Sequence, residues 1–211
     1  LVDATNYVMY ELGEPLHAFD YDILRNRAQA DGADYPTIIT RMAEKGEKLV
    51  TLDDVERTLD DFSVLVCDQS GSLALAGVMG GQESEINADT TNVLLEGANW
   101  NIINTRRTAM SQNLPSEASY RFSRGVHPEL APQGVQRGLK LMLEWAGGTA
   151  RQGLVDEYPL PPVDPTVEIT PADVSRWLGI DLDPEEIGAI LESLEFKVTI
   201  HDSRISATTP D

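Results

Sequence analysis

Residues 37–68 read TIITRMAEKGEKLVTLDDVERTLDDFSVLVCD. Four short runs in it are rich in β-branched and apolar residues: Thr37–Met42, Lys48–Leu52, Arg57–Leu59 and Ser63–Asp68. Each is too short for a helix, and each is bounded by charged or glycine-bearing breaks, so the segment predicts antiparallel strands. Asp53-Asp54 falls between two runs where a hairpin turn belongs. Ser72–Val78 and Asn92–Leu95 extend the strand pattern across the intervening loop MGGQESEINADTT. The core of the chain is therefore expected to be a mixed or antiparallel β-structure.

Outward from this core the periodicity changes. Residues 1–13 predict a helix, with Asp3 as cap, Val8, Met9 and Leu12 on one face, and Gly13 and Pro15 as stops. Residues 21–34 are polar and read as irregular. From Ile102 the pattern is helical again, with a helix start near Ser116 and a longer helix over Gln133–Trp145. Its expected apolar stripe is Val135, Leu139, Met142 and Leu143, and Gly147-Gly148 ends it. Residues 153–165 carry Pro159, Pro161, Pro162 and Pro165 and predict a semi-rigid linker. Residues 166–211 read strand, helix, helix, strand, strand. Val174, Trp177 and Leu178 are the expected face of the first helix, and Ile187, Ile190, Leu191 and Leu194 that of the second. The fold class is thus α+β, a main domain over 1–152 and a small α+β module over 166–211, whose core is thin for an independent unit.

The totals narrow the function. A length of 211 residues, 41% hydrophobic and 24% charged, suits a globular chain, and no run reaches the ~18 apolar residues of a membrane span. The start at Leu1 and the stop at Asp211, just after a strand-like run, read as a piece cut from a longer polypeptide. Cys67 is the single cysteine, in an apolar run that predicts an inert buried thiol in a reducing, cytoplasmic setting. His17, His127 and His201 are too far apart for a zinc site. The net charge of −19 argues against broad electrostatic binding of nucleic acid. Its distribution is uneven: residues 106–151 hold seven Lys/Arg against three Asp/Glu, while 1–105 hold six against nineteen. That segment reads either as helix-surface charge with internal ion pairs or as a landing site for a phosphate-bearing ligand.

Two separated stretches supply candidate pocket residues. DATNYVMYELGEPLHAFD (3–20) holds Thr5, Asn6 and His17. AGVMGG (76–81), LLEGA (94–98) and SEASYRFSRG (116–125) supply Gly80, Gly81, Glu96, Ser116 and Ala118. With TNYVMYELG, PLHAFD and GEKLVTLDD, these motifs, in order and at compatible spacing, resemble the beta subunit of bacterial-type phenylalanyl-tRNA synthetase. Residues 1–152 resemble its editing module and 166–211 the start of the module that follows.

The resemblance implies proofreading: hydrolysis of tyrosine attached in error to the tRNA for phenylalanine. A synthetic pocket rejects an isostere with one added hydroxyl by only about 100-fold, so a second site that hydrogen-bonds that hydroxyl is useful. By the resemblance, Glu96 accepts the phenol hydrogen bond, Gly80 and Gly81 form a wall where backbone approaches the ligand, and Ser116 and Ala118 line the amino-acid pocket. The family more often has threonine at the position of Ser116. Thr5, Asn6 and His17 match the cluster that places the attacking water and the ester. Arg121 and Arg124 contact the acceptor end of the tRNA or form internal salt bridges. The resemblance implies no metal or cofactor for editing, ATP and magnesium for the whole enzyme, and an alpha-subunit partner in an alpha2-beta2 tetramer. Two other readings stay open: a docking module that has lost editing, and a free-standing hydrolase or amino-acid binder.

Overall fold

A computed structural model describes residues 1–160 and 165–210. The chain divides into two compact units, Leu1–Leu154 and Val155–Asp211. Within the proline-rich stretch, residues 161–164, which include Pro161 and Pro162, lie outside the described residues.

The first unit begins with helix α1 (Val2–Leu12), strand β1 (Leu16–Asp20) and helix α2 (Tyr21–Ala30). Leu1 rather than Asp3 occupies the N-cap of α1, without a side-chain cap, and Gly13 ends the helix at φ 80°, donating its N–H to the Met9 carbonyl. The expectation of irregular structure over 21–34 is overturned by α2. Asp20 Oδ1 accepts from the backbone N–H groups of Asp22 and Ile23 at 3.0 and 3.2 Å, so the last residue of β1 caps the next helix. Only Leu24 and Ala28, one turn apart, are buried, and most of the remaining residues of α2 are polar and reach solvent in part or in full. A narrow apolar stripe in a polar decapeptide leaves little periodicity to read.

Strands β2 (Ile39–Met42), β5 (Val64–Asp68), β6 (Gly71–Leu75) and β7 (Met79–Gly80) form a four-stranded antiparallel sheet in the order β2-β5-β6-β7. The run expected as one strand over Ser72–Val78 breaks after Leu75. Gly77 turns the chain at φ 68°, where an added Cβ would lie 2.8 Å from the Trp100 ring. Strands β3 (Lys48–Val50) and β4 (Glu56–Thr58) make the hairpin whose turn the Asp53-Asp54 pair predicts, with Asp54 at φ 61°. Buried Arg57 holds that hairpin in place, donating to Thr51 Oγ1 at 2.8 Å and to the Gln112 carbonyl at 3.0 Å and pairing with Asp53. Cys67 is buried in the sheet, and burial raises its thiol pKa.

Strand β8 (Val93–Gly97) pairs only with β1 in the sheet order, as a separate antiparallel ribbon. The ribbon lies between two layers. Leu16, Ala18, Val93 and Leu95 belong to the cluster with Ala4, Val8, Leu141 and Met142 of the helices, whereas Phe19 and Leu94 belong to the cluster with Val66, Leu73 and Ala74 of the sheet. Helices α3 (Ile102–Ser111), α4 (Glu117–Phe122) and α5 (Leu130–Ala146) complete the unit. The apolar face of α5 differs from the expected stripe: Leu139 and Leu143 are 37% and 36% exposed, and Gly134, Gly138, Leu141 and Met142 are buried. Two glycines one turn apart let the ribbon approach the helix axis. An added Cβ on Gly138 would sit 2.7 Å from Leu16 Cδ1, and one on Gly134 would sit 2.6 Å from Glu14 Cγ.

Glu14 is fully buried in that contact, and neither carboxyl oxygen has a hydrogen-bond partner. Burial raises its pKa to about 8, and the backbone at Ala98 offsets this only in part. The folded protein thus keeps a proton on Glu14 that the unfolded chain releases above about pH 4.5. Folded stability therefore falls as pH rises from about 4.5 towards 8 and levels beyond it. Glu14→Gln keeps the shape and removes the titration. It is expected to match the parent chain near pH 4.5 and to exceed it at pH 7 by on the order of 2–3 kcal/mol. Denaturant unfolding of both proteins across pH 4.5–8 checks this, and parallel curves would show that Glu14 is not held neutral.

The second unit runs β9 (Thr166–Ile169), α6 (Pro171–Leu178), α7 (Pro184–Ser193), β10 (Lys197–His201) and β11 (Arg204–Thr208), with sheet order β10-β11-β9, antiparallel throughout. Both helices start with a capping box and proline in the first turn: Thr170 with Asp173, and Asp183 with Glu186. The expected helix faces are only partly covered. Ile187, Ile205 and Ala207 are buried, whereas Trp177 and Leu178 are 78% and 67% exposed and Ile190 and Leu194 also meet solvent. A unit this small buries a smaller share of its apolar surface, which leaves these helix faces partly open. No helix among the described residues is long and apolar enough to cross a membrane.

Candidate active site

Strand register brings the two strongest candidates together. In the antiparallel ribbon His17 of β1 lies directly opposite Glu96 of β8. Side chains alternate along a strand, so His17 shares a face with Phe19, and Glu96 shares one with Leu94. Phe19 and Leu94 pack into the sheet-side cluster, so imidazole and carboxyl both face the four-stranded sheet. Glu96 lies within β8, one residue beyond the expected strand Asn92–Leu95.

Gly80 of β7 closes the site from the sheet side. A Cβ on Gly80 would lie 2.6 Å from His17 Cε1, 3.1 Å from its Nε2 and 3.1 Å from Leu52 Cδ1. The glycine is therefore what lets the backbone meet the ring. The Phe19 ring stands edge-on to the imidazole, 4.4 Å between centroids at 82°. Leu16, next to His17 on β1, faces α5. Gly81 has a different task. Its N–H donates to the Leu73 carbonyl at 2.8 Å, and an added Cβ would collide with that carbonyl oxygen. That contact ties β6 to the chain beside Gly80.

Both side chains are half-buried, and desolvation shifts their protonation states. Burial lowers the His17 pKa to about 4, so the imidazole is neutral at physiological pH, and its Nε2 is buried with no hydrogen-bond partner. An orphaned ring nitrogen of this kind forfeits about 1–3 kcal/mol unless a ligand or water satisfies it. Burial also raises the Glu96 pKa to about 7. Neutral imidazole and a carboxyl poised near neutrality are a pair suited to hydrogen-bonding a small polar ligand and a water.

The remaining candidates are placed as follows. Thr5 is buried on α1, which packs against β1, and its hydroxyl donates to the Val2 carbonyl at 2.9 Å. Asn6 is exposed on the same helix. Ser116 caps α4: its hydroxyl accepts from the Ser119 N–H at 3.0 Å and donates to the Val78 carbonyl at 2.7 Å, two residues before Gly80. Ala118 is half-buried on α4. Arg121 donates to the carbonyl and carboxylate of Glu117 at 2.9 and 2.8 Å and lies 5.1 Å from the Tyr10 ring. Arg124 lies 3.5 Å over the Tyr120 ring and donates to the Tyr120 carbonyl.

A cavity of about 480 Å³ opens beside the site, between α3 and α4, with Arg106, Ser116, Tyr120 and Arg124 in its wall. Arg106 and Tyr120 were not singled out by the sequence. The signal available was the excess of basic residues over 106–151. Among the described residues, no three of His, Cys, Asp and Glu cluster as a metal centre requires.

The model of the B3/4 domain family matches residues 1–147. Over its whole length the chain is 40% identical to a phenylalanine–tRNA ligase beta subunit of Halalkalibacterium halodurans and 41% identical to that of Geobacter sulfurreducens. It spans about a quarter of the length of each. A solved N-terminal fragment of the phenylalanyl-tRNA synthetase beta subunit from Pyrococcus horikoshii aligns with 98% of this chain and 58% of its own, at 16% identity and a TM-score of 0.45. With seven-tenths of its residues under one family model, this chain belongs to the B3/4 domain family.

Proposed function

We propose that the first unit hydrolyses tyrosine from tRNA that carries it in error, as part of a phenylalanine–tRNA ligase beta subunit. The observation that carries the reading is the convergence of His17, Glu96 and Gly80 from three strands on one partly buried face of the ribbon. In this reading the phenol of a misattached tyrosine donates its hydrogen bond to Glu96, and phenylalanine leaves that carboxyl unpaired. Water held at His17 Nε2 attacks the ester carbonyl. The carbon–oxygen bond to the terminal ribose then breaks, and the ribose oxygen leaves with a proton. Placement of that water beside an already labile ester supplies much of the acceleration. No covalent intermediate is invoked, because the site presents no activated Ser or Cys nucleophile.

In the whole ligase, amino-acid activation would use ATP and magnesium at a site carried by an alpha subunit, with two alpha and two beta subunits in a cytoplasmic assembly. The residues described here have no part in that step. One observation favours the rival reading, a docking module without editing: the Thr5 hydroxyl is tied to its own helix and Asn6 faces solvent. Deacylation of tyrosyl-tRNA by the assembled ligase decides between them. Editing requires that His17→Ala slow clearance, and unchanged clearance would leave docking as the role.

The reading also has a pH signature. A carboxylate binds a phenol more strongly than a neutral carboxyl does. With Glu96 titrating at about 7, KM for a tyrosyl ester should fall several-fold between pH 6 and 8. His17, with its pKa near 4, stays neutral across that range and adds nothing to it. The phenylalanyl ester serves as control for hydroxide-driven hydrolysis. In Glu96→Gln the difference between the two esters should no longer depend on pH.

A further inference from the structure

The end of the β1–β8 ribbon that carries the site rests on α5 through glycine. An added Cβ on Gly97 would lie 2.6 Å from Val135 Cγ2 and 2.9 Å from the Ala131 carbonyl oxygen, and those on Gly134 and Gly138 would meet Glu14 and Leu16. Leu16 is the register partner of Gly97, as His17 is of Glu96. Whatever moves this seat therefore moves the next residue pair along the ribbon. Among the side chains closest to the three glycines, Leu16, Leu95, Val135 and Val8 are apolar, and Glu14 alone can ionise. It is fully buried, and neither carboxyl oxygen has a hydrogen-bond partner among the described residues.

The surrounding charges do not suit a carboxylate there. Glu96 of β8 carries the like charge that acts on Glu14. Arg137 of α5 donates to both carboxylate oxygens of Glu11 on α1, at 2.6 and 2.9 Å, and the charge of Lys140, also on α5, acts on Glu11. His17 of β1 is neutral at physiological pH. An ionised Glu14 would thus be dry, unpaired and near a second carboxylate, whereas water would solvate it. Contacts made by glycine supply few side-chain atoms to hold the seat closed against that cost.

We infer that Glu14 is a positioning residue for the reaction at His17 and Glu96: its neutral carboxyl seats the ribbon end on α5, and ionising it lets that end lift and carries both groups out of line. The inference rests on the editing reading. The direction with pH follows from linkage. The seated carboxyl keeps its proton up to about pH 8, and a released one ionises from about pH 4.5 upward. The ratio of lifted to seated ribbon therefore rises with pH across that window.

Native-state amide hydrogen exchange on the 211-residue chain reads the seat without any hydrolysis. Corrected for the intrinsic rate, protection of the β1 and β8 amides should fall roughly 30- to 100-fold between pH 5.5 and 7.5, because the ratio changes about tenfold per pH unit inside the window. Low concentrations of denaturant should leave this exchange nearly unchanged, since a local opening exposes little surface, while the β5 and β6 amides should speed up as global unfolding does. Glu14→Gln should abolish the pH dependence at the ribbon. Glu14→Met, also uncharged and of similar length, should do the same and stands in if the first variant folds poorly. In the assembled ligase, after subtraction of uncatalysed hydrolysis, kcat for tyrosyl-tRNA should fall about tenfold from pH 7 to 9 with no rise in KM, and the uncharged variants should lose that fall.

Ribbon protection that is independent of pH in the parent chain overturns the inference. So does ribbon exchange with the denaturant slope of β5 and β6, because Glu14 would then act on global stability alone. An alkaline fall in kcat that persists in Glu14→Gln overturns it as well. The two readings fail separately. A ligase that clears no tyrosine rejects editing, and hydrogen exchange still decides whether Glu14 seats the ribbon.

Discussion

Glu96→Gln is expected to lower kcat/KM for tyrosyl-tRNA by roughly 30- to 150-fold while leaving the slow clearance of phenylalanyl-tRNA within about twofold. The figure, for pH 8 where Glu96 is ionised, is the loss of the charge-assisted part of the hydrogen bond and its replacement by a misoriented amide, about 2–3 kcal/mol. Glutamine keeps the volume and one acceptor oxygen, so the ribbon between α1, α5 and the sheet should be undisturbed. The asymmetry between substrates carries the argument. A structural defect would slow both esters equally, because in the proposed mechanism both use the water at His17. Equal loss for tyrosine and phenylalanine would therefore remove Glu96 from specificity, and no loss for either would remove the editing site from this face of the ribbon.

Gly80→Ala is expected to reduce clearance of tyrosine by about 100-fold at a modest loss of stability. The added methyl would lie 2.6 Å from His17 Cε1 and 3.1 Å from Leu52 Cδ1, so the imidazole has to move. The Phe19 ring 4.4 Å away blocks one direction of escape. A displacement near 1 Å in a group that positions the nucleophile costs on the order of 10²-fold. Gly80 has no positive φ, so the effect is steric and acts on the ring. Gly81→Ala is the comparison. Its methyl meets the Leu73 backbone carbonyl, which cannot turn aside, and the damage there should appear as about 1–3 kcal/mol of lost stability. Thermal unfolding run beside the deacylation assay separates the two. If Gly80→Ala clears tyrosine normally, the imidazole is not the group that places the water.

The β core was legible because its strands are short, alternating and punctuated. The turn at Asp53-Asp54 and the cap at Ser116 were legible because turns and caps demand particular side chains locally. Helix α2 was not legible, since only Leu24 and Ala28 are buried and its cap, Asp20, is itself the last residue of a strand. The packing face of α5 was misread for a related reason. Hydropathy points to Leu139 and Leu143, but the close contact is made by Gly134 and Gly138, whose contribution is the absence of a side chain. Glu14 passed unnoticed in a segment read as a helix stop, and nothing in GEPLHAFD marks one carboxyl as fully buried.

What the sequence by itself determined is the α+β class, most of the strands of the β core, the helices α1 and α5 and, through motif resemblance, which residues to suspect. Those are properties of local chemistry and of spacing along the chain, and they survive without knowledge of what folds against what. Only the tertiary structure decided that His17 faces Glu96 and not the helices, that Gly80 touches the imidazole while Gly81 touches a carbonyl, and that Arg106 and Arg124 share a recess. Each of these depends on strand register or on the contact of distant segments. A slip of one residue between β1 and β8 would turn the imidazole away from the carboxyl, and no local preference encodes that choice.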